Sequence, residues 1–414
     1  MSTTDTHTIV LEYGAESPFR FQIEADRVVA AMPTPESVDD VKASALAVLQ
    51  QPLDFPPLSQ SVIPDDHVVL AVDPATPDAA SLVAACWVCL EEAGISAENV
   101  LILETETLGD SASPPVDPRR ELPEAVRARV QWKRHRPGSA DDCAYLATTA
   151  AGERIYLAPE LVHADAVITI GLLGFDPLLG YRGTNSVFYP GLSTAEAVKK
   201  SQGQGHQELR PNDERPLRQL VDEIGWLLGT LFTLQVIPSV TGGVSEVLAG
   251  ALDSVLREGK KRLDELFRIE LDYRAETVVV SIGKTASDPW QALGAALAVS
   301  RNLVGREGKV VLLSSLDQSP QSGVELLQTH DEPLDILPKL QHVNPDDREA
   351  ATQLAKTLDW AGVYLLSGLP DEVVEELGVM PIGSTDEVER LLAREDQIVF
   401  IPAAIHSFGR VRSE

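Results

Sequence analysis

The chain contains Ala164-Asp-Ala-Val-Ile-Thr-Ile-Gly171, followed by Gly180-Tyr-Arg-Gly-Thr-Asn-Ser186 and Tyr189-Pro-Gly191. An acidic residue, an apolar β-type run and then a glycine-rich loop closed by Pro-Gly are typical of a buried strand that brings backbone close to another group. The sequence therefore predicts a functional site at the end of this strand.

Length and charge bound the class of protein. At 414 residues the chain exceeds one ordinary core, and 44% hydrophobic residues supply enough apolar material for two domains. A formal net charge of -29 disfavours both a phosphate-neutralising surface for nucleic acid and attraction to anionic membranes. We predict a folded protein that binds neither. The acidic surface fits an ordinary cytosolic protein or one from a salt-rich host.

The amino-terminal segment Met1-Ser-Thr-Thr-Asp-Thr-His-Thr8 lacks a basic stretch followed by an apolar core. No apolar run approaches the about 20 residues that a membrane helix needs. These features predict a cytoplasmic protein.

Three cysteines occur, and two of them form Cys86-Trp-Val-Cys89 within a helical pattern. A CxxC can indicate a redox or zinc site, but no second pair of Cys or His residues lies near it. A spacing of three on one helix face favours buried small apolar residues.

The segment from His67 to Leu103 predicts a βαβ unit. A buried strand ends at Asp73, a Pro-rich turn follows, and Asp78 is expected to cap a helix that runs to about Ala93 before the next strand. The carboxyl end of the first strand and the amino end of the helix form a cleft suited to anions. Residues 73–76 are therefore predicted to lie where a ligand binds.

The remaining pattern indicates two domains, residues 1–272 and 273–414. For the first, we expect a loop over 108–124, strands at 130–133 and 154–157, and helices at 194–201, 217–231 and 249–267. For the second, alternating strands at 276–283, 309–313, 363–366 and 399–401 with helices at 289–302 and 349–358 predict a doubly wound α/β domain.

Four motifs in this order resemble the nickel-pincer-nucleotide lactate racemase family over most of the chain. They are Asp73-x-x-x-Pro77, Ala164-Asp-x-x-Ile-x-Ile-Gly171, the glycine-rich loop with Pro-Gly, and Trp290-Gln-Ala-Leu293. The resemblance implies two α/β domains facing each other across a cleft, the second with a Rossmann-like sheet. It also implies racemisation or epimerisation of 2-hydroxy acids by hydride transfer to and from a nickel-bearing, pyridinium-derived cofactor.

The same resemblance implies where the functional groups should stand. It places cofactor-binding cleft positions at Asp73, Thr76, Gly183, Ser186 and Gln291. It places proton-transfer groups at Asp176 and near Thr107, and a nickel ligand at Gln202, with His206 as a relocated metal ligand.

Several of these positions carry different chemistry from that expected of the family. Ser186 stands where a tethering lysine is expected, Asp176 where a histidine is expected, and Thr76 where a carboxylate-binding arginine is expected. In the second domain Gln291 matches, but Gly294 replaces an expected lysine. Serine cannot form the same amine-derived linkage, and an added carboxylate repels an anionic substrate.

Two functional hypotheses follow. In the first, the protein is an isomerase for a hydroxy acid or a related compound, with a loosely held or altered cofactor. In the second, it is a non-catalytic homologue that binds a small ligand or a protein partner in the interdomain cleft. A nucleophile–base pair made from Ser186 or Thr184 with Asp176 lacks a histidine nearby in sequence, and the chain has no GxxxxGK[ST], HExxH or GxSxG motif.

Overall fold

The computed structural model describes residues 6–32, 35–105, 115–176, 178–202, 210–230, 232–283, 289–343, 347–402 and 404–412. The predicted α/β class is confirmed, because helices alternate with largely parallel sheets. The chain divides into two compact units. The central unit comprises residues 36–239 and 243–263, and the terminal unit comprises residues 1–35, 240–242 and 264–414.

The strands are numbered in chain order: β1 (Thr6–Leu11), β2 (Phe19–Glu24), β3 (Val28–Ala31), β4 (Val68–Val72), β5 (Val100–Thr105), β6 (Gln131–His135), β7 (Ala144–Thr148), β8 (Arg154–Leu157), β9 (Ala166–Leu172), β10 (Gly174–Asp176), β11 (Gly180–Arg182), β12 (Phe232–Pro238), β13 (Val244–Ala251), β14 (Arg268–Leu271), β15 (Ala275–Ser281), β16 (Val304–Leu313), β17 (Gly362–Leu366), β18 (Met380–Ile382), β19 (Ile398–Ile401) and β20 (Phe408–Val411).

The α-helices are α1 (Val41–Gln50), α2 (Ala79–Glu92), α3 (Glu124–Arg127), α4 (Pro159–Val162), α5 (Ala195–Gln202), α6 (Pro216–Leu228), α7 (Leu252–Phe267), α8 (Pro289–Leu303), α9 (Leu337–Val343), α10 (Arg348–Trp360), α11 (Asp371–Glu376) and α12 (Thr385–Leu392).

The central unit is built on a six-stranded sheet in the order β13-β12-β9-β4-β5-β6. Its strands are parallel except for the antiparallel pair β12 and β13. All five residues of β4 are buried, which explains its continuous apolar sequence, since a parallel strand covered on both faces has no polar side. The predicted βαβ unit is present as β4, α2 and β5.

The terminal unit has a six-stranded parallel sheet in the order β18-β17-β16-β15-β19-β3. The chain runs outward from β15 through β16, β17 and β18, and β19 lies on the other side of β15. This reversal is the arrangement of a doubly wound sheet, as the sequence predicts for this part of the chain.

The units are not two consecutive segments divided at residue 272. Strand β3 pairs in parallel with β19, with Val28 opposite Ile398, so the first 35 residues belong to the terminal unit. The Arg27 guanidinium reinforces this contact, because its Nε donates to Glu395 O at 3.1 Å. The second division falls within α7, between Leu263 and Asp264.

Two local predictions need correction. The helix expected from residue 249 begins at Leu252, because Ala251 still pairs with Phe232 of β12. Asp78 does stand at the start of α2, but its backbone is left-handed with φ 50° and its side chain makes no capping hydrogen bond. Strand pairing at Ala251 delays the start of α7, and the turn before α2 sets the backbone of Asp78. The helical pattern in the sequence indicates neither effect.

The two cysteines of the CxxC lie in the core of the central unit, with Cys86 0% and Cys89 3% exposed. Burial raises the pKa of the Cys86 thiol strongly and that of Cys89 to about 11. Both thiols therefore pack as small apolar groups. Among the described helices, none is both long and apolar enough to cross a bilayer.

Candidate functional site

The central sheet places its candidate site where β4 and β9 lie side by side. From β4 the chain proceeds to β5 and β6 on one side of the sheet, and β9 and β12 lie on the other. In open α/β sheets, ligands bind at the carboxyl ends of the strands where the strand order reverses in this way. Asp73 follows β4, and the hairpin of β10 and β11 follows β9.

Hydrogen bonds of its backbone N–H and of both carboxylate oxygens fix Asp73 at this switch point. Its backbone N–H donates to Ile170 O at 2.9 Å, and its Oδ1 accepts the Ala75 N–H at 2.9 Å. Its Oδ2 accepts from Arg182 Nη2 at 2.5 Å. The side chain of Asp73 is 13% exposed and that of Arg182 is 33% exposed, so this ion pair reaches the surface from a largely buried carboxylate.

Arg182 is a site residue that sequence reasoning missed. Coulombic attraction by Asp73 raises the pKa of its guanidinium, opposed by partial burial and assisted by Asp176. The available signal was that Arg182 is the one cation within Gly180-Tyr-Arg-Gly-Thr-Asn-Ser186. The neighbouring glycines predicted a close approach of the backbone, and the Arg182 side chain was not considered as a site residue.

Thr76 lies in the turn that follows Asp73, where it was predicted. Its N–H donates to Asp73 O at 2.9 Å, and the residue is only 6% exposed. Its Oγ1 is buried and has no hydrogen-bond partner within the described residues. A buried hydroxyl without a partner is uncommon in folded proteins, which marks this turn as a candidate binding position.

Asp176 shapes the hairpin between β10 and β11. Its Oδ1 accepts the backbone N–H groups of Leu178 and Leu179, each at 2.8 Å. One oxygen of this predicted proton-transfer group is thus committed to holding a turn. Its negative charge also acts on Arg182.

Ser186 closes a local ring with Gly183. Gly183 N–H donates to Ser186 Oγ at 2.7 Å, and that hydroxyl donates to Gly183 O at 3.1 Å. A hydroxyl carries a single hydrogen, so the Ser186 donor is used by the loop itself. The predicted cofactor-anchoring position therefore stabilises the loop.

The loop around Gly183 has an unusual backbone that Arg218 holds in place. Gly183 has φ 106° and Thr184 has φ 54°. The Arg218 guanidinium donates to the carbonyls of Tyr181 and Gly183, each at 3.3 Å, and to Thr184 Oγ1 at 3.2 Å. Its Nε also donates to Asp222 Oδ2 at 2.9 Å. One arginine of α6 thus satisfies three oxygens of the glycine-rich loop.

Glu104, on β5, is a further residue beside this turn. It pairs with Val72 in the register of the sheet, immediately before Asp73, and is 6% exposed. Trp132 Nε1 donates to its Oε2 at 2.7 Å. Burial raises the pKa of this carboxyl, and the charges of Asp117 and Asp73 raise it further, against the opposing effects of Trp132 and Arg134. A perturbed carboxyl at a strand end is typical of a functional site.

The remaining predicted positions are Gln291, Gly294, Thr107 and His206. Gln291 lies on α8 of the terminal unit, where its side chain is exposed. Gly294 packs against α10, because a Cβ there would lie 2.8 Å from the Cα of Ala350. This close approach of two helices leaves no room for a lysine. Thr107 and His206 lie outside the described residues.

The described residues do not fit a lysine-tethered nickel-pincer nucleotide. Position 186 offers a hydroxyl that the loop already uses, and a hydroxyl cannot supply the amine-derived linkage. Within the described ranges, no group of three or more His, Cys, Asp or Glu side chains is arranged to hold a metal ion. The side chain of Gln202 and the whole of His206 are outside those ranges.

Replacing Glu104 with glutamine should stabilise the protein at pH 7. Because burial raises the folded-state pKa above 4.5, the folded protein holds its proton more tightly, and stability falls as pH rises through the raised pKa. Glu104→Gln keeps an oxygen acceptor for Trp132 and removes this loss. We expect a higher Tm than wild type at pH 7 and a smaller difference near pH 4.5, measured by thermal denaturation.

The control for that experiment is Glu98→Gln. Glu98 is exposed, and its hydrogen bond with Arg129 lowers its pKa, so its contribution has the opposite sign and is present above the ordinary pKa. Its replacement should not raise Tm at pH 7. Equal gains in the two variants would contradict the burial argument for Glu104.

Replacing Gly183 with alanine should lower the free energy of unfolding by more than the strain of a positive φ alone would cause. A Cβ at Gly183 would lie 2.8 Å from Leu173 Cδ2 and 3.2 Å from Leu172 O. Gly229 also has a positive φ, of 75°, but no atom within 4 Å of a new Cβ. We expect Gly229→Ala to lose about 1–2 kcal/mol in urea denaturation and Gly183→Ala to lose more. Equal losses would show that crowding at Gly183 is unimportant.

Comparison with known proteins gives a domain match and a fold. The lactate racemase N-terminal domain matches residues 13–210. No curated protein sequence matches the chain.

Two solved structures share the architecture. The lactate racemase apoprotein from Thermoanaerobacterium thermosaccharolyticum aligns with a TM-score of 0.76 and 14% identity, over 98% of this chain and 100% of that one. A protein from Thermotoga maritima aligns with a TM-score of 0.62 and 14% identity, over 91% of this chain and 100% of that one. At this identity the structural matches establish the fold alone, and the domain match concerns residues 13–210. The chain therefore matches a lactate racemase N-terminal domain over residues 13–210 and shares the fold of a lactate racemase apoprotein.

Proposed function

We propose that this protein binds a small 2-hydroxy acid at the carboxyl ends of β4 and β9, as a lactate-racemase-like homologue without a lysine-tethered cofactor. The observation that carries the proposal is the ion pair of Asp73 and Arg182 at the switch point of the central sheet. A partly exposed guanidinium beside a carboxylate offers donors and an acceptor on one small patch.

The chemistry of this pair suits a hydroxy acid. A guanidinium carries five N–H donors and favours carboxylates, and the described residues use one hydrogen bond from Arg182, to Asp73. The ligand carboxylate would bind the remaining donors. Its 2-hydroxyl would donate to a carboxylate oxygen of Asp73, and the buried Thr76 Oγ1 lies in the same turn.

The chemistry of Ser186 and Asp176, at positions where the family resemblance implies catalytic groups, favours ligand binding over racemisation. The hydroxyl of Ser186 is bonded to Gly183, and Asp176 Oδ1 is bonded to two backbone N–H groups. Neither residue offers an amine or imidazole. The proposed role is therefore a ligand-binding member of the family, and a contribution of Gln291 from the terminal unit to a shared cleft stays a prediction.

Isomerase activity is the second candidate, because the lactate racemase N-terminal domain covers the central site. This alternative requires a nickel-pincer nucleotide that is held without a covalent bond to residue 186. Two positions predicted for this chemistry, Thr107 and His206, lie outside the described residues.

Removing the Arg182 charge should weaken ligand binding. We expect D- or L-lactate, or another member of a 2-hydroxy acid panel, to raise the Tm of the wild-type protein. Arg182→Gln should weaken that binding by about tenfold to a hundredfold, which corresponds to the loss of one charged hydrogen bond, measured by calorimetric titration. The matched control is Arg257→Gln, since Arg257 is 70% exposed and pairs with Asp54 away from this turn. Equal weakening in both variants would contradict the assignment.

Co-expression with nickel-pincer biosynthetic enzymes should leave the protein unmodified. We expect an intact mass equal to that of the chain, no bound nickel and no visible absorption band, because Ser186 supplies no tethering amine. The measurements are mass spectrometry of the intact protein, metal analysis and an ultraviolet–visible spectrum. A nickel-bearing chromophore would overturn the binding-only function and favour the isomerase, which racemisation assays with D- and L-lactate would then test.

A further inference from the structure

Glu104 is a buried carboxyl group next to the turn that carries Asp73. It lies on β5 opposite Val72 of β4, the residue directly before Asp73, and it is 6% exposed. Neighbouring strands of a sheet lie about 4.8 Å apart, so the backbones of Glu104 and Asp73 are close together at the carboxyl end of the sheet. The charge of Asp73 acts on Glu104. A charge bound beside Asp73 therefore acts on Glu104 too.

The carboxyl group of Glu104 has a neutral partner. Trp132 Nε1 donates to its Oε2 at 2.7 Å, and among the described residues this is its one hydrogen bond. Within the part of the chain that the structure describes, no Lys, Arg or His side chain forms an ion pair with it. A buried carboxylate without a paired cation is energetically costly, and such a group is neutralised by taking up a proton.

The charges around Glu104 do not remove this cost. Asp73, from the turn after β4, and Asp117, from the segment before α3, repel a negative charge on Glu104, whereas Arg134 of β6 attracts it. Asp117 is paired with Arg119, whose guanidinium lies 5.6 Å from the centre of the indole ring that donates to Glu104. Helix α2 packs on the same face of the sheet and has no acidic residue in its first turn. Burial has the largest effect and raises the pKa of Glu104.

A bound hydroxy acid would add negative charge beside Glu104. Asp73 and Arg182 neutralise each other in their ion pair, and Asp176 already places a negative charge near Arg182. A ligand carboxylate on the remaining Arg182 donors therefore leaves the site with an excess of negative charge. A like charge nearby disfavours the ionised form of a carboxyl group, most strongly where water is excluded.

We propose that this protein takes up a proton on Glu104 when it binds a 2-hydroxy acid at the Asp73 turn, an inference that rests on the proposed ligand site. The proton goes to Glu104 Oε1, because Oε2 accepts the Trp132 N–H. Protein with protonated Glu104 binds the anion more tightly than protein with ionised Glu104. By linkage, the affinity rises as pH falls through the pKa of Glu104.

Calorimetric titration of the full-length protein with D- and L-lactate tests this coupling. Lactate stays ionised from about pH 5 to about pH 8, so a change in affinity over this range reports on the protein. We expect the affinity to fall several-fold across the range as Glu104 ionises, with a limit of about tenfold per pH unit for one linked proton. Repeating the titration in two buffers with different heats of ionisation measures the proton uptake, which should be positive and at most one per site.

Two glutamine variants identify the residue that holds the proton. Glu104→Gln keeps an oxygen acceptor for Trp132 Nε1 and resembles the protonated acid. It should bind lactate at every pH with the affinity that the wild type has at low pH, and it should take up no proton. Glu98→Gln is the control, because Glu98 is exposed and paired with Arg129. This variant should keep the pH dependence of the wild type.

The outcomes separate the coupling from the ligand site itself. Lactate binding that is independent of pH and takes up no proton would overturn the coupling and leave the proposed binding function intact. A pH dependence that persists in Glu104→Gln, or a loss of lactate binding in that variant alone, would also overturn the assignment to Glu104. No binding of lactate by the wild type at any pH would overturn the lactate site and this inference with it.

Discussion

The glycine-rich loop depends on the guanidinium of Arg218. Two carbonyls and one hydroxyl of residues 181–184 turn toward it, and Asp222 holds the guanidinium from the other side. A buried carbonyl without a hydrogen-bond donor is energetically costly. Because Arg218 supplies donors to the oxygens of this loop, it stabilises the positive-φ backbone at Gly183 and Thr184. This clamp also determines where the neighbouring side chains of Arg182 and Ser186 lie.

The clamp separates the supports of the loop from the groups that a ligand would meet. Arg218 and the aromatic ring of Tyr181 belong to the support, and Lys260 packs there too. Arg182 projects to the opposite side, where Asp73 ends β4. The two sides of one three-residue strand thus carry different chemistry, and a single loop conformation fixes both. This arrangement explains how the loop keeps its geometry with a serine at position 186, whose hydroxyl bonds to Gly183.

Sequence reasoning worked best for elements whose signals are local. The buried run of β4, the turn after it and the helix α2 were predicted because apolar periodicity, proline and a polar boundary lie within a few residues. It missed β12 and β13, whose polar members such as Gln235 are buried, 0% exposed, by neighbouring strands. It also missed the pairing of β3 with β19, which joins segments from opposite ends of the chain.

The sequence by itself determined the α/β class, the buried parallel strands, the glycine-rich loop and the place of Asp73 at a strand end. Only the tertiary structure decided that Asp73 pairs with Arg182, 109 residues away, and that Glu104 is buried beside them. The physical reason is that the patterns that predict strands and helices depend on residues that are close in sequence. Charge pairing and desolvation depend instead on the order of strands in the sheet, which brings distant parts of the chain within hydrogen-bond distance.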